Sequence, residues 1–161
     1  MTEIERLQDL LERTYSGTCF HGDSIMKLFE DIDAAQAILV PDGASHSIWQ
    51  IVEHMAGWLD VIRRRLTSPI LVSMPEEKNF PPTPQASHEN WNATLNSFDA
   101  VLHALIAEIG KFPESNLGAQ VPGKDYTFDV LLHGAVHHNL YHLGQISMIK
   151  AMYQRRLSAA A

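Results

Sequence analysis

Apolar residues recur at three- and four-residue intervals along four long segments of this chain, and proline or glycine punctuates the gaps. A period near that of the α-helix buries one stripe and leaves the rest to water, so the pattern commits the chain to helices packed on helices. The connections carry little strand signal. A length of 161 residues suffices for one domain with a buried core and is short for two. The expected fold is all-α: a four-helix bundle spanning 1–161 as a single domain, with a long loop between helices two and three.

The first segment covers about 2–37. Its early part places Ile4, Leu7, Leu11 and Tyr15 on one stripe, and after a break near Ser16-Gly17-Thr18 its later part does the same with Ile25, Leu28, Phe29 and Ile32. A short turn, "DAAQAI", leads into a loop at Val40-Pro41-Asp42-Gly43. Helix two starts after Ser45-His46, because "SIWQ" matches a capping box in which Ser47 bonds forward and Gln50 reaches back. It ends near 67, ahead of Pro69. From 69 to 87 the chain holds five prolines and few apolar pairs, which predicts a loop long enough to be functional or mobile. Helix three, about 88–109, turns Trp91, Leu95, Phe98, Leu102, Leu105 and Ile109 inward, and Gly110 and Pro113 stop it. Helix four runs from about 127 to 154, with Asp129 at its positive end and Lys150, Arg155 and Arg156 at its negative end. There is no internal repeat, and the only low-complexity stretch is the terminal alanines.

Several classes of function are disfavoured at once. The net charge is −7, and the basic residues form only the short clusters Arg63-Arg64-Arg65 and Arg155-Arg156, each near a helix end where it complements the dipole. No concentrated basic footprint for nucleic acid is present. Cys19 is the only cysteine and has no intrachain partner for a disulfide. No stretch approaches the roughly 20 apolar residues of a membrane span, and the acidic N-terminus lacks a signal-peptide run. A cytoplasmic protein is the expectation. Glycine-rich phosphate loops, a nucleophile elbow and C-x-x-C pairs are likewise missing. Trp49, Trp58 and Met148 read as core, and nothing in the sequence activates Cys19 as a nucleophile.

Histidine is the unusual feature, with nine in the chain and three inside "HHNLYHLGQI". His138 and His142 are four apart, so one helix face aims both imidazoles at one point, the spacing used by H-x-x-x-H metal motifs. They lie on the inward seam of Leu131, Ala135, Ile149 and Tyr153, with Gln145 beside it. Two buried histidines need two sets of polar partners, which apolar neighbours seldom supply and a shared cation would. His54 likewise interrupts the stripe Ile51, Met55, Trp58 and Ile62 on helix two. A cation site of His54, His138 and His142 thus stands against the plainer reading of hydrogen-bonded core histidines. His133 and His137 form a rival pair about 100° around the helix, where a solvated or supporting role is expected. His103 reads as surface, His46 as a local neighbour of the capping box or of a site mouth, and His21 and His88 carry no specific signal. Glu53 and Asp60, the nearest acids, do not share the face of His54, so no general base is named.

The two stretches "HSIWQIVEHMAGW" and "HHNLYHLGQI", with "GTCFHGDSIMKLFEDI" near the start, resemble the DinB/YfiT-like superfamily of metal-dependent four-helix-bundle proteins over nearly the whole chain. The resemblance implies that His54, His138 and His142 ligate one divalent metal, zinc or nickel. It also implies that Gly144 and Gln145 follow the last ligand, the glycine permitting close helix packing. Branches of this superfamily include transferases that use low-molecular-weight thiols such as bacillithiol, mycothiol or glutathione, and mycothiol-dependent isomerases. By analogy the chain is expected to be a homodimer that acts on a small-molecule substrate as a thiol transferase or hydrolase. The alternatives are a metal- or small-ligand-binding bundle without turnover, and a metal-free interaction bundle.

Overall fold

In the computed structural model, residues 1–160 are described, with side chains to Arg155, and among them the chain forms seven α-helices and no strand. Four are long: α1 (Glu3–Ser16), α4 (Ile48–Arg65), α6 (His88–Ile109) and α7 (Phe128–Ala160). Three are short: α2 (Ile25–Phe29), α3 (Ala34–Ile38) and α5 (Glu76–Asn79). The long helices close a ring, α4 packing on α6 and α7, and α1 packing on the same two.

Helix starts follow local chemistry. Thr2 with Glu5, Asp33 with Gln36, and Ser47 with Gln50 form complete capping boxes, and Ser24 and Ser87 cap α2 and α6 through their side chains. The break after α1 makes a tight return in which Gly22 takes φ 117°, a conformation that residues with a Cβ rarely adopt. The expected stripes are the ones that pack. Ile4, Leu7, Leu11 and Tyr15 of α1, Ile25, Leu28 and Phe29 of α2 with Ile32 just after it, and Trp91, Phe98, Leu102, Leu105 and Ile109 of α6 are all buried, and Leu95 packs at their edge.

Other expectations are corrected by packing. Residues 69–87 are not wholly irregular, because Pro75 starts the single helical turn α5. Helix four continues six residues past 154, so Lys150 and Arg155 are not in its last turn. Lys150 instead donates to Leu28 O at 3.0 Å and lies 3.4 Å from Asp31, tying α7 to the end of α2. The expected roles of Arg156 and the alanine tail lie outside the described side chains. Met148 is 65% exposed rather than in the core. Trp49 is fully buried as expected, but Trp58 is only half-buried, for a reason that concerns the site. No helix among the described residues is long and apolar enough to cross a membrane.

Candidate metal centre

α4 and α7 run side by side, and each turns histidine toward the seam between them. His54 and His142 are buried and His138 is half-buried, one ligand atom from each lying within 4.8 Å of the others. His54 Nε2 and His142 Nε2 each lie 3.1 Å from His138 Nε2.

Protonation follows from the outer nitrogens. His54 Nδ1 is 2.7 Å from Asn79 O, a carbonyl that only accepts, so the proton sits on Nδ1 and Nε2 presents a lone pair. His142 Nδ1 donates to Gln145 Oε1 at 2.7 Å, and the Gln145 amide is oriented by its own bond to the Tyr141 hydroxyl at 3.3 Å. Two bare Nε2 atoms therefore face His138 Nε2. A single proton there serves one of them at a time, so at least one buried lone pair is left over. A cation satisfies all three. Three nitrogens at about 2.0–2.1 Å from one ion stand about 3–3.4 Å apart, close to the two spacings that His138 makes with His54 and His142.

The rings stay neutral near neutral pH. Burial pushes His138 down to about 4, with repulsion from His142 and His54 adding to the effect. Burial also lowers His54 and His142, against the opposing pull of their hydrogen bonds to Asn79 and Gln145. Neutral imidazole is the form that ligates a metal.

The loop after α4 completes the site. Phe80 lies flat between His54 and His46, with ring centroids 4.1 and 3.7 Å away, so one ring separates His46 from His54. Asn79 holds His54 with its backbone and accepts the Trp58 indole N–H with its side chain at 3.1 Å. Trp58 is half-buried because it walls a cavity of about 440 Å³ that opens beside His54 and His138. Ile62, Arg65, Tyr126 and Leu131 line the same space.

Arg63 and Arg64 interact with Asp60 near the end of α4, but Arg65 is buried at 4% exposure and faces inward. Asn79, Phe80, Arg65 and Tyr126 were not legible as site residues. For Arg65 a signal existed: it continues the stripe of Ile51, Met55, Trp58 and Ile62 at the same spacing. A glycine at 144 is not needed for packing, since a Cβ there would meet nothing within 4 Å. His133 pairs with Glu3 at 3.1 Å and lies near Asp129, a half-buried group that could itself hold a cation. His137 and His103 are exposed. Cys19 donates to the Arg13 carbonyl. Glu53 accepts from Thr94, so neither it nor Asp60 turns toward the histidines.

The family model of the DinB superfamily matches residues 20–146, a span that holds all three histidines. The chain belongs to the DinB superfamily. No curated protein and no solved structure matches it. The DinB match begins after α1, so that helix, which packs against α6 and α7 on the other side of the ring, lies outside the matched span.

Proposed function

We propose that this DinB-superfamily chain is a metal-dependent enzyme acting on a small molecule, in which His54, His138 and His142 bind one divalent cation, zinc or nickel, through Nε2. The convergence of the three Nε2 atoms, with Nδ1 of His54 and His142 tied down, carries the reading. Three neutral donors leave such an ion its full charge and an open position. When bound, it supplies an anionic nucleophile near neutral pH by acidifying water or a low-molecular-weight thiol at that position. The chain's residues do the rest. Asn79 O and Gln145 Oε1 orient two rings, Phe80 shields His54 from water, and the cavity by Trp58 receives the substrate. This arrangement suits transfer of a thiol to an electrophile, or hydrolysis. Residues 1–161 act as one cytoplasmic domain in this reading.

Elemental analysis tests it on protein purified without an affinity tag, because nickel resin loads open histidine sites. We expect one metal per chain in the wild type and loss of it in His54→Ala, His138→Ala and His142→Ala. A metal-free wild type, or fully loaded variants, would sink the proposal. If metal is stoichiometric but thiol conjugation to a chloronitroaromatic runs no faster than with His142→Ala, the protein is a metal-binding bundle without that turnover.

A homodimer belongs to the same reading. Tyr141, Met148 and Met152 stand exposed along one face of α7 at seven- and four-residue spacing, a stripe that a second copy would cover. Light scattering should return twice the chain mass, and a monomer at tens of micromolar removes the dimer.

A further inference from the structure

The cavity beside the histidines contains a charge without a counter-charge. Arg65 is 4% exposed, and its hydrogen bonds go to neutral groups: Nε to Val72 O at 2.8 Å and Nη1 to the Tyr126 hydroxyl at 2.9 Å. Its guanidinium carbon stands 5.8 Å from the centre of the Trp58 ring. Among the described residues Nη2 has no hydrogen-bond partner, no carboxylate pairs with Arg65, and none of the residues lining the cavity is acidic. Arginine stays protonated in proteins, so burial cannot relieve the charge by neutralising it. A buried cation is tolerated where it is paired, and here the missing partner has room to enter. Tyr126 contributes a second donor, because its oxygen accepts from Arg65 and its own proton has no acceptor among the described residues.

We propose that Arg65 and Tyr126 form a binding site for the carboxylate of a small ligand whose other end reaches the three-histidine centre. The inference rests on the function proposed above for what happens at that other end, and on the cavity alone for the anion site. One indole separates the two ends: the Trp58 ring is 6.4 Å from the His54 ring and 6.3 Å from the His138 ring. Ile62 and Leu131 supply apolar walls between them, so the ligand is a short carboxylic acid with an apolar body. Two donors on one guanidinium and phenol pair match the two oxygens of a carboxylate and leave an alcohol or amide of the same shape poorly matched. The carboxylate could belong to the thiol or to the molecule it attacks.

The experiment compares 3-phenylpropionate with 3-phenylpropanol, titrated into the full-length protein with and without added cobalt(II) and read through the Trp58 indole N–H resonance. We expect the acid to bind at least tenfold more tightly than the alcohol in both states. Arg65→Met should abolish that preference while Arg65→Lys keeps part of it, and Tyr126→Phe should reduce it severalfold, with metal stoichiometry unchanged in all three. Equal binding of acid and alcohol to the wild type overturns the anion site without any variant having to fold. Retention of the preference in a folded Arg65→Met does so as well. Because the metal-free arm needs only the cavity, absence of a metal site would leave its outcome intact, and the two readings fail separately. The source is decided by adding 3-mercaptopropionate to the cobalt-loaded complex. Displacement of 3-phenylpropionate assigns the carboxylate to the thiol, and a ternary complex assigns it to the acceptor.

Discussion

At the scale of single residues, the site depends on which nitrogen of each ring carries the proton. His142 owes its orientation to a side chain, Gln145, and His54 to a backbone carbonyl, Asn79 O. Gln145→Leu should therefore weaken metal affinity about 10- to 100-fold, the usual loss when a ligand's supporting partner is removed. Asn79→Ala keeps the carbonyl, loses the side-chain contacts to Trp58 and His54, and should leave affinity within a few-fold; competition with a chromogenic chelator measures both. A second prediction concerns protons. At pH 6, three histidines with ordinary pKa values near 6.5 would carry about two protons between them and release them to a metal. Burial lowers all three, His138 to about 4, so metal binding at pH 6 should release fewer than those two, with almost none from His138. The sign follows from linkage: a depressed folded pKa keeps each ring neutral to a pH below its ordinary value, furthest for His138. Calorimetry in buffers of different ionisation enthalpy reads the number, and release of two protons would show that the rings are not desolvated. Gln145 was legible beside the histidine seam because it lies three residues from His142. Asn79 was not, since a backbone carbonyl delivered by a loop has no side-chain signature.

At the scale of elements, the four long helices were legible because their stripes and caps agree. Ser47 and Gln50 announced the start of α4, and the inward face of α6 packed as its periodicity required, with Leu95 at the edge. The segment between α4 and α6 was legible only as proline-rich. Its contribution depends on where Phe80 lands, and that is fixed by α5 and by the two imidazoles it meets. Near-parallel stacking against His46 and His54 makes Phe80 the latch of this loop. Phe80→Ala should cost about 1–2 kcal/mol, less than a fully buried phenylalanine because the ring is half-exposed. Amide exchange should accelerate across 75–87 while metal stoichiometry stays at one per chain. Unchanged exchange would mean that the loop is held by Asn79 and Arg65 alone.

At the scale of the whole molecule, the histidines connect parts of the chain that are distant in sequence. His54 and His138 are 84 positions apart, and α4 and α7 meet along only one side of a ring that α1 and α6 complete. Spacing could nominate His138 and His142 because one helix carries both, but the third partner was visible only as a polar residue on another apolar stripe. Closure of the ring turns that nomination into a single cluster. A cation held there would fasten α4 to α7, and anything that binds the folded state alone stabilises it by mass action. Free metal at 100 times Kd contributes about 2.7 kcal/mol. For a chain of this length that raises Tm by about 6–10 °C. Thermal unfolding with zinc and then with a chelator should show this interval in the wild type and in Gln145→Leu at higher metal, and none in His138→Ala. His138 is the decisive variant because both close Nε2 contacts pass through it. If His138→Ala kept the full metal-dependent shift, the stabilising ion would lie elsewhere, with the group of Glu3, Asp129 and His133 between α1 and α7 the place to look.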